Sequence, residues 1–325
     1  MSEPRICIVG AGSLSSSRIY PYIATAGGQL VGVCDLDKDK ARRNARMWGG
    51  TAYTDMGAML DAEKPDGVII CIGPAQHAGL APAVMRLGIP VYTEKPPATC
   101  AAGALAAARL AEETGVLCTT AFKKRYATCY KRAKEWLGAF APENLHSISI
   151  DYGSARYNND APLSEFLLDF AIHAIDLVGY LFGDVAEVLA FTKDHHSYAV
   201  SLRFACGAVG TMNLTDGRAW DVPTEEVEIT VEGGNFMTIH NSSVWRITQD
   251  GKACEWREPA TFVSGGDSGY ETGHLTEIAE FIEAIRTGGQ TRSNIYESYK
   301  SMVLYEAIRD SAASRRVVNV VYEQC

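Results

Sequence analysis

Short apolar runs alternate with helical patterns through the first 120 residues. Residues 5–9, 30–34 and 67–72 are apolar and often β-branched, the composition of strands covered on both faces. Residues 90–93 and 116–120 continue the series. Between them, residues 37–48 carry a Lys/Arg-rich face, and residues 77–87 set Leu80, Val84 and Leu87 on one stripe. Residues 98–113 are rich in alanine, so three helices are predicted. Strands alternating with helices predict parallel β-α-β units with right-handed crossovers.

The pattern changes near residue 121. His146, Ile148, Ile150 and Tyr152 alternate with Ser147, Ser149 and Asp151. Tyr198, Val200, Leu202 and Phe204 alternate with smaller or polar residues, and Val227, Ile229 and Val231 with Glu226, Glu228 and Thr230. Period-two alternation predicts an antiparallel sheet with one covered face. Residues 163–182 read as one helix between the first two of these strands, and residues 272–287 and 294–314 return to helical spacing. The expected fold is α/β: a Rossmann doubly wound parallel sheet over 1–121, then an α/β domain with a largely antiparallel, open-faced sheet over 122–325. The last helix is expected to return to the first domain. Residues 264–273, rich in Gly and Ser, read as a flexible loop.

Composition narrows the function classes. At 325 residues, 47% hydrophobic and 21% charged, the chain is ordinary for a globular protein of about two domains. Its 30 basic and 39 acidic residues give a net charge of −9, with no Lys/Arg run to bind nucleic acid. Apolar stretches are strand-sized, too short to span a membrane, and no signal-peptide core precedes residue 5. Nine cysteines without C-x-x-C spacing read as reduced core thiols of a cytoplasmic protein. His195 and His196 are adjacent, no Cys/His cluster has zinc-like spacing, and no metal is expected.

The strand over 5–9 runs into Gly10-Ala11-Gly12-Ser13-Leu14-Ser15. The first glycine permits a tight turn, the second lets backbone approach a pyrophosphate, and a helix then offers unpaired N–H groups. Ser15 stands where a third glycine is usual. A second strand ends in Asp35, 25 positions after Gly10, where a carboxylate grips ribose hydroxyls. That carboxylate repels a 2′-phosphate and favours NAD over NADP, while nearby Lys38, Arg42 and Arg43 leave NADP open. The alternative is that Gly10, Gly12 and Asp35 only shape turns.

Three further motifs follow in order: residues 67–72 running into Gly73-Pro74-Ala75-Gln76-His77, then Val91-Tyr92-Thr93-Glu94-Lys95-Pro96, then Asp169-Phe170-Ala171-Ile172-His173-Ala174-Ile175-Asp176. Together they resemble the glucose–fructose oxidoreductase/inositol dehydrogenase/MocA-like (Gfo/Idh/MocA) family, and the match spans essentially the whole chain. The sequence departs from the family pattern at Ala171 for Gly, at Pro90 for His, and at Lys123-Lys124-Arg125-Tyr126 for Asn-Arg-Arg-aromatic.

Asp169, His173 and Asp176 fall at i, i+4 and i+7, one stripe of a continuous helix. A carboxylate beside an imidazole fixes its tautomer and raises its basicity, which suits taking a proton from a carbinol. Lys95 follows the carboxyl end of a parallel strand, where open α/β sheets bind ligands, and its ammonium suits a developing alkoxide. The resemblance implies those roles: Lys95 polarising, His173 as acid/base, Asp169 as its partner. The alternative is an exposed helix pair and a solvated strand end, and Asp176 is left between capping, pairing and holding the helix. The cofactor set is Gly10, Gly12, Ser13, Leu14, Asp35, Ile72, Pro74, His77, Glu94 and Lys95. The substrate set is Lys95, Lys124, Arg125, Tyr152 and His173, with surface or packing roles open for Lys124, Arg125 and Tyr152. The resemblance also implies a cis Lys95–Pro96 peptide and a homodimer or homotetramer built through the sheet's outer face at Val209, Thr211 and Asn213. The expected activity is NAD(P)-dependent oxidation, or the reverse, of a secondary alcohol on a sugar, polyol or related small molecule. Two alternatives stay open: a redox-neutral NAD-dependent glycosidase and a non-catalytic NAD-responsive regulator. Loops 152–163 and 264–273 are expected to decide specificity.

Overall fold

The computed structural model describes residues 3–155, 166–219, 224–258 and 269–325. The chain divides into two compact units. The first holds residues up to Lys123 together with Gly273–Tyr299 and Cys325, and the second holds Lys124–Thr272 and Lys300–Gln324.

In the first unit the parallel strands are β1 (Arg5–Val9), β2 (Gln29–Cys34), β3 (Thr51–Tyr53), β4 (Gly67–Ile70), β5 (Val91–Thr93) and β6 (Cys118–Thr120), in the order β3-β2-β1-β4-β5-β6. This is the doubly wound arrangement, with the switch point between β1 and β4. Helices α1 (Ser13–Arg18), α2 (Lys38–Trp48), α3 (Met56–Glu63), α4 (Pro74–Met85) and α5 (Ala101–Thr114) connect the strands. The Asp37 carboxylate caps α2 by accepting from the N–H groups of Asp39 and Lys40. Strand β3 and helix α3 have too little periodicity to be read from sequence. The 98–113 helix starts only at Ala101, and Leu87 lies beyond α4, exposed, while Val84 and Met85 are buried.

Ile6 and Ile8 are fully buried, each contributing roughly 1.5–3 kcal/mol. They pack in one cluster with Ile278, Phe281 and Ile282 of α9 (His274–Thr287). The nine cysteines form no disulfide. Burial pushes the Cys7 thiol up to about 12, so it stays protonated.

In the second unit, α6 (Thr128–Leu137), α7 (Phe166–Asp169) and α8 (Ile172–Phe182) accompany a mixed sheet. Its strands are β7 (Leu145–Gly153), β8 (Val185–Lys193), β9 (Ser197–Phe204), β10 (Val209–Thr215), β11 (Thr224–Val231), β12 (Asn235–His240), β13 (Val244–Gln249), β14 (Lys252–Arg257) and β15 (Val318–Asn319). Their order is β14-β13-β12-β11-β7-β10-β9-β8-β15, antiparallel except for β10 against β7. Helix α10 (Ile295–Ser314) starts in the first unit and continues from Lys300 in the second.

The predicted alternation holds in β9 and β11, whose apolar positions are buried one by one. It slips at the start of β7. Thr230 pairs with Ser147 and Val231 with Leu145, so His146 is bulged out of register and exposed.

The single helix expected over 163–182 is two helices, with residues 163–165 outside the described residues. The Phe170 and Ala171 N–H groups both donate to the Phe166 carbonyl, and the His173 N–H donates to Phe170. The i−5 bond at Ala171 ends α7, and shorter i−3 bonds start α8. Ala171 sits at φ −69°, a conformation open to any residue, so the absence of the family's glycine costs nothing there. The expected specificity loops fall in part on residues 156–165 and 259–268, outside the described residues.

Candidate functional site

The first unit presents a nucleotide cradle. Gly10 has φ +106°, and a Cβ there would lie 2.0 Å from the Cys71 carbonyl oxygen, so only glycine fits. A Cβ on Gly12 would meet nothing within 4 Å, leaving the open space that a pyrophosphate requires. Ser15 is fully buried, and its hydroxyl donates to the Gly12 carbonyl at 3.1 Å. Asp35 directly follows β2, where its Oδ2 accepts the Ala11 N–H at 2.7 Å and its Oδ1 accepts the Asp37 N–H at 2.8 Å. The carboxylate is thereby aimed beside the glycine loop. A cavity of about 290 Å³ adjoins that loop, lined by Gly12, Ser13, Ser16, Lys40, Arg43 and Asn44 among others. Of the three cations expected nearby, Arg43 lines this cavity, and Lys38 and Arg42 do not. Leu14 is exposed in α1. These residues fit a dinucleotide.

Two residues that hold the cradle were missed in the sequence. The Tyr20 hydroxyl donates to the Gly10 carbonyl at 3.0 Å, inside the core. Asn44, buried in α2, accepts from the Ser16 hydroxyl at 3.0 Å and reaches the Ala11 carbonyl at 3.5 Å. A polar residue three positions after buried Ala41, on the inward face of an otherwise charged helix, was the available signal.

Beyond β4, Ile72 is half-buried, and Pro74 opens α4 at its first position. His77 is fully buried, with Nδ1 2.8 Å from the Pro96 carbonyl. Burial holds its imidazole below the usual range. The ring is therefore neutral and braces the turn after Lys95. The Lys95–Pro96 peptide is cis, as the resemblance implies. Glu94 is buried and its Oε2 accepts the Lys95 N–H at 3.2 Å; burial raises its carboxyl above the ordinary value, against the pull of Lys95. Behind it stands a residue the sequence reading missed. Glu277, in the first turn of α9, is 1% exposed, and burial followed by the Glu94 charge pushes its carboxyl far up. Its signal was a carboxylate on the stripe that buries Ile278, Phe281 and Ile282.

The second unit carries the acid/base candidates. Asp169 is the last residue of α7, and His173 lies in the first turn of α8, buried to 7% exposure. The break between the helices means that they do not share one continuous stripe. Asp176 is buried and takes a bidentate Arg125: Nε lies 2.9 and 3.1 Å from its two oxygens, and Nη2 lies 2.8 Å from Oδ1. The Ser301 hydroxyl adds a bond to Oδ1 at 2.8 Å.

Lys124 is buried too, ion-paired with Glu225 of β11, whose carboxylate also accepts from the Tyr130 and Ser242 hydroxyls. Burial alone would raise the Glu225 carboxyl; the Lys124 charge and the three hydrogen bonds outweigh it and hold the group below its ordinary value. Tyr152 is buried and stacks on Phe170, centroids 4.6 Å apart and planes at 12°. Among the described residues no group of three His, Cys, Asp or Glu is placed to hold a metal, and no helix is long and apolar enough to cross a membrane.

Comparison with known proteins agrees with this anatomy. The family model described as an oxidoreductase family, NAD-binding Rossmann fold, matches residues 4–122, and its C-terminal alpha/beta domain counterpart matches residues 156–320. The D-apiose dehydrogenase of Paraburkholderia graminis is 23% identical, over 96% of this chain and 88% of its own length. The scyllo-inositol 2-dehydrogenase (NAD(+)) of Bacillus subtilis is 22% identical, over 88% of this chain and 87% of its own. A crystal structure of an oxidoreductase from Agrobacterium radiobacter, in complex with NAD+, L-tartaric acid and magnesium, shares the fold with a TM-score of 0.87. It is 18% identical and covers 98% of this chain and 99% of that one. With both family models matched in order and the glycine loop shaped for a dinucleotide, the chain belongs to the Gfo/Idh/MocA oxidoreductase family, and its first unit is the family's NAD-binding Rossmann fold.

Proposed function

We propose that the protein is an NAD-dependent dehydrogenase of a secondary alcohol on a sugar, polyol or related polyhydroxylated molecule. The observation that carries this reading is the Glu94-Lys95-Pro96 turn, where an ammonium is presented on a backbone braced by buried His77. Family relatives named as dehydrogenases of apiose and of scyllo-inositol support the substrate class, and they favour net oxidation over redox-neutral cleavage.

In this reading Gly10 and Gly12 let the backbone approach the dinucleotide, and Asp35 receives the adenosine ribose hydroxyls, favouring NAD over NADP. The chemistry that bound NAD supplies is acceptance of a hydride. Lys95 donates a hydrogen bond to the reacting oxygen and lowers the pKa of that hydroxyl. His173, partnered by Asp169, takes the hydroxyl proton as the carbon–hydrogen bond gives up its electron pair. In the reverse direction His173 returns that proton. The reading also includes a homo-oligomer built through the outer face of the nine-stranded sheet, where Val209, Thr211 and Asn213 are exposed; light scattering in solution tests it.

The test is a panel of inositols, aldoses and glucosides, each offered with NAD and with NADP and followed at the reduced-nicotinamide absorbance band. Reduction of NAD by at least one member is expected. A panel in which every member leaves both cofactors oxidised removes the reading.

A further inference from the structure

We propose that Lys124 and Arg125, adjacent in the Lys123–Tyr126 turn, are positioning residues that grip the α7–α8 segment, one at the joint between Asp169 and His173 and the other just beyond His173. The proposal rests on the reading of His173 as the acid/base group, and it departs from substrate contact as the role of this basic pair.

The Lys124 grip runs through aromatic rings. Its Nζ is paired with Glu225, lies 3.3 Å from the Ser242 hydroxyl, and sits 4.9 Å from the centre of the Tyr152 ring. Cation and ring attract at that distance, more strongly out of water. Tyr152 stacks on Phe170, which in turn stacks on Phe166 at 6.0 Å and 24°. Phe170 is the residue at which α7 gives way to α8, so this chain of contacts ends on the joint between Asp169 and His173.

The Arg125 grip is direct. Its fork holds Asp176, one turn beyond His173, and its guanidinium lies 5.3 Å from the ring centre of Tyr180, a further turn along. His173, Asp176 and Tyr180 follow one another at i, i+3 and i+7 on α8, so the arginine lies along the helix face that carries the imidazole.

Both cations are almost wholly buried, at 5% and 2% exposure. Apolar residues of similar volume would supply as much stability as such pairs, or more. What the ion pairs add is direction, because a bidentate fork and a cation over a ring each accept few geometries. Each charge is also neutralised on the spot by its own carboxylate, which suits bracing better than recognition of a substrate.

The test uses the full-length protein and three variants: the double substitution Lys124→Met with Glu225→Gln, the single substitution Tyr152→Leu, and the conservative Lys124→Arg. The double variant removes both charges together, so no unpaired ion is left buried. Tyr152→Leu cuts the link to Phe170 and leaves both ion pairs in place.

Three readouts are taken: the NAD dissociation constant, the NMR signal of the His173 ring, and kcat and KM with the panel compound that the wild type turns over best. For the double variant and for Tyr152→Leu, NAD affinity is expected to stay within about twofold, because Gly10, Gly12 and Asp35 are untouched. The His173 signal should shift or broaden. kcat should fall about 10²-fold, the scale of a displacement near 1 Å, with KM within about threefold. Lys124→Arg should recover most of that loss. An unchanged His173 signal with kcat within about twofold, or a KM effect with kcat intact, overturns the proposal. If the double variant does not fold, Tyr152→Leu decides by the same criteria. If the wild type turns over no compound, the functional reading fails, and the His173 signal alone still decides the grip.

Discussion

The glycine loop of the first unit and the α7–α8 joint of the second are held in place by different means. The loop is set by backbone geometry: a positive φ at Gly10, a Cβ-free approach at Gly12, and two main-chain N–H groups on the Asp35 carboxylate. Nearly all of that comes from residues within one β-α-β unit. The joint is set by side chains far away in sequence. Arg125 reaches Asp176 across 51 positions and Lys124 reaches Glu225 across 101. The cradle's shape rests on main-chain geometry that nearby Asp35, Tyr20 and Asn44 brace, whereas a helix joint built on buried charges depends on several distant side chains at once.

The largest effect belongs to the chemistry carried beside the α7–α8 joint. His173→Ala should lower kcat by roughly 10²–10⁴-fold while NAD binding is retained, as for a lost general acid/base. Steady-state kinetics with a panel substrate checks this, and near-normal turnover would take His173 out of the mechanism. Next is the anchorage of α8. Arg125→Met leaves Asp176 charged and buried, which should cost about 3–5 kcal/mol in urea unfolding. Adding Asp176→Leu should restore most of that stability without restoring turnover, separating folding from positioning. If turnover also returns, the ion pair only holds the fold.

The contrasting prediction concerns the loop. Gly10→Ala forces a side chain into the Cys71 carbonyl at a backbone angle that L residues rarely adopt, a strain on the order of 1–3 kcal/mol. Calorimetric titration should show NAD affinity weakened by about tenfold or more for ~1.4 kcal/mol of that strain. Unlike the Arg125 loss, no second substitution at a partner side chain should rescue it, because the obstacle is main chain.

The smallest effect is a pH dependence. Glu277 has a carboxyl raised well above 4.5 by burial and then by Glu94. Above about pH 4.5 the folded protein therefore holds a proton that the unfolded chain releases, so this group's contribution to stability declines as pH rises toward its folded value. Glu277→Gln cannot ionise, and its Tm should fall less than the wild type's between about pH 5 and 8. Parallel Tm curves would show that Glu277 is not a buried acid of this kind.

Legibility followed the same division. The strand-loop-helix at residues 5–18 and the Asp at the end of β2 were visible because a local motif and a local conformation coincide. Glu94-Lys95-Pro96 was visible as a motif, but His77, read as a cofactor neighbour, lies inside the core on the Pro96 carbonyl. The helix break at Phe170 was hidden, since neither Gly nor Pro stands between Leu167 and Ile175, and the bond from the Ala171 N–H to Phe166 and the stacking of Phe170 on Tyr152 mark the place. Lys124 and Arg125 were recognised as a basic pair near the site, yet nothing local named Glu225 and Asp176 as their partners.

By itself the sequence determined the two architectures, the nucleotide loop and the identities of the candidate reactive groups. Periodicity and steric limits on glycine act over a few residues and are written in the residues themselves. Tertiary structure alone decided where α7 stops, which charges are buried, and what each buried charge is paired with. Those outcomes depend on desolvation and on contacts between segments more than 50 positions apart, and burial cannot be assigned to a lysine or a glutamate until the surface that covers it is known.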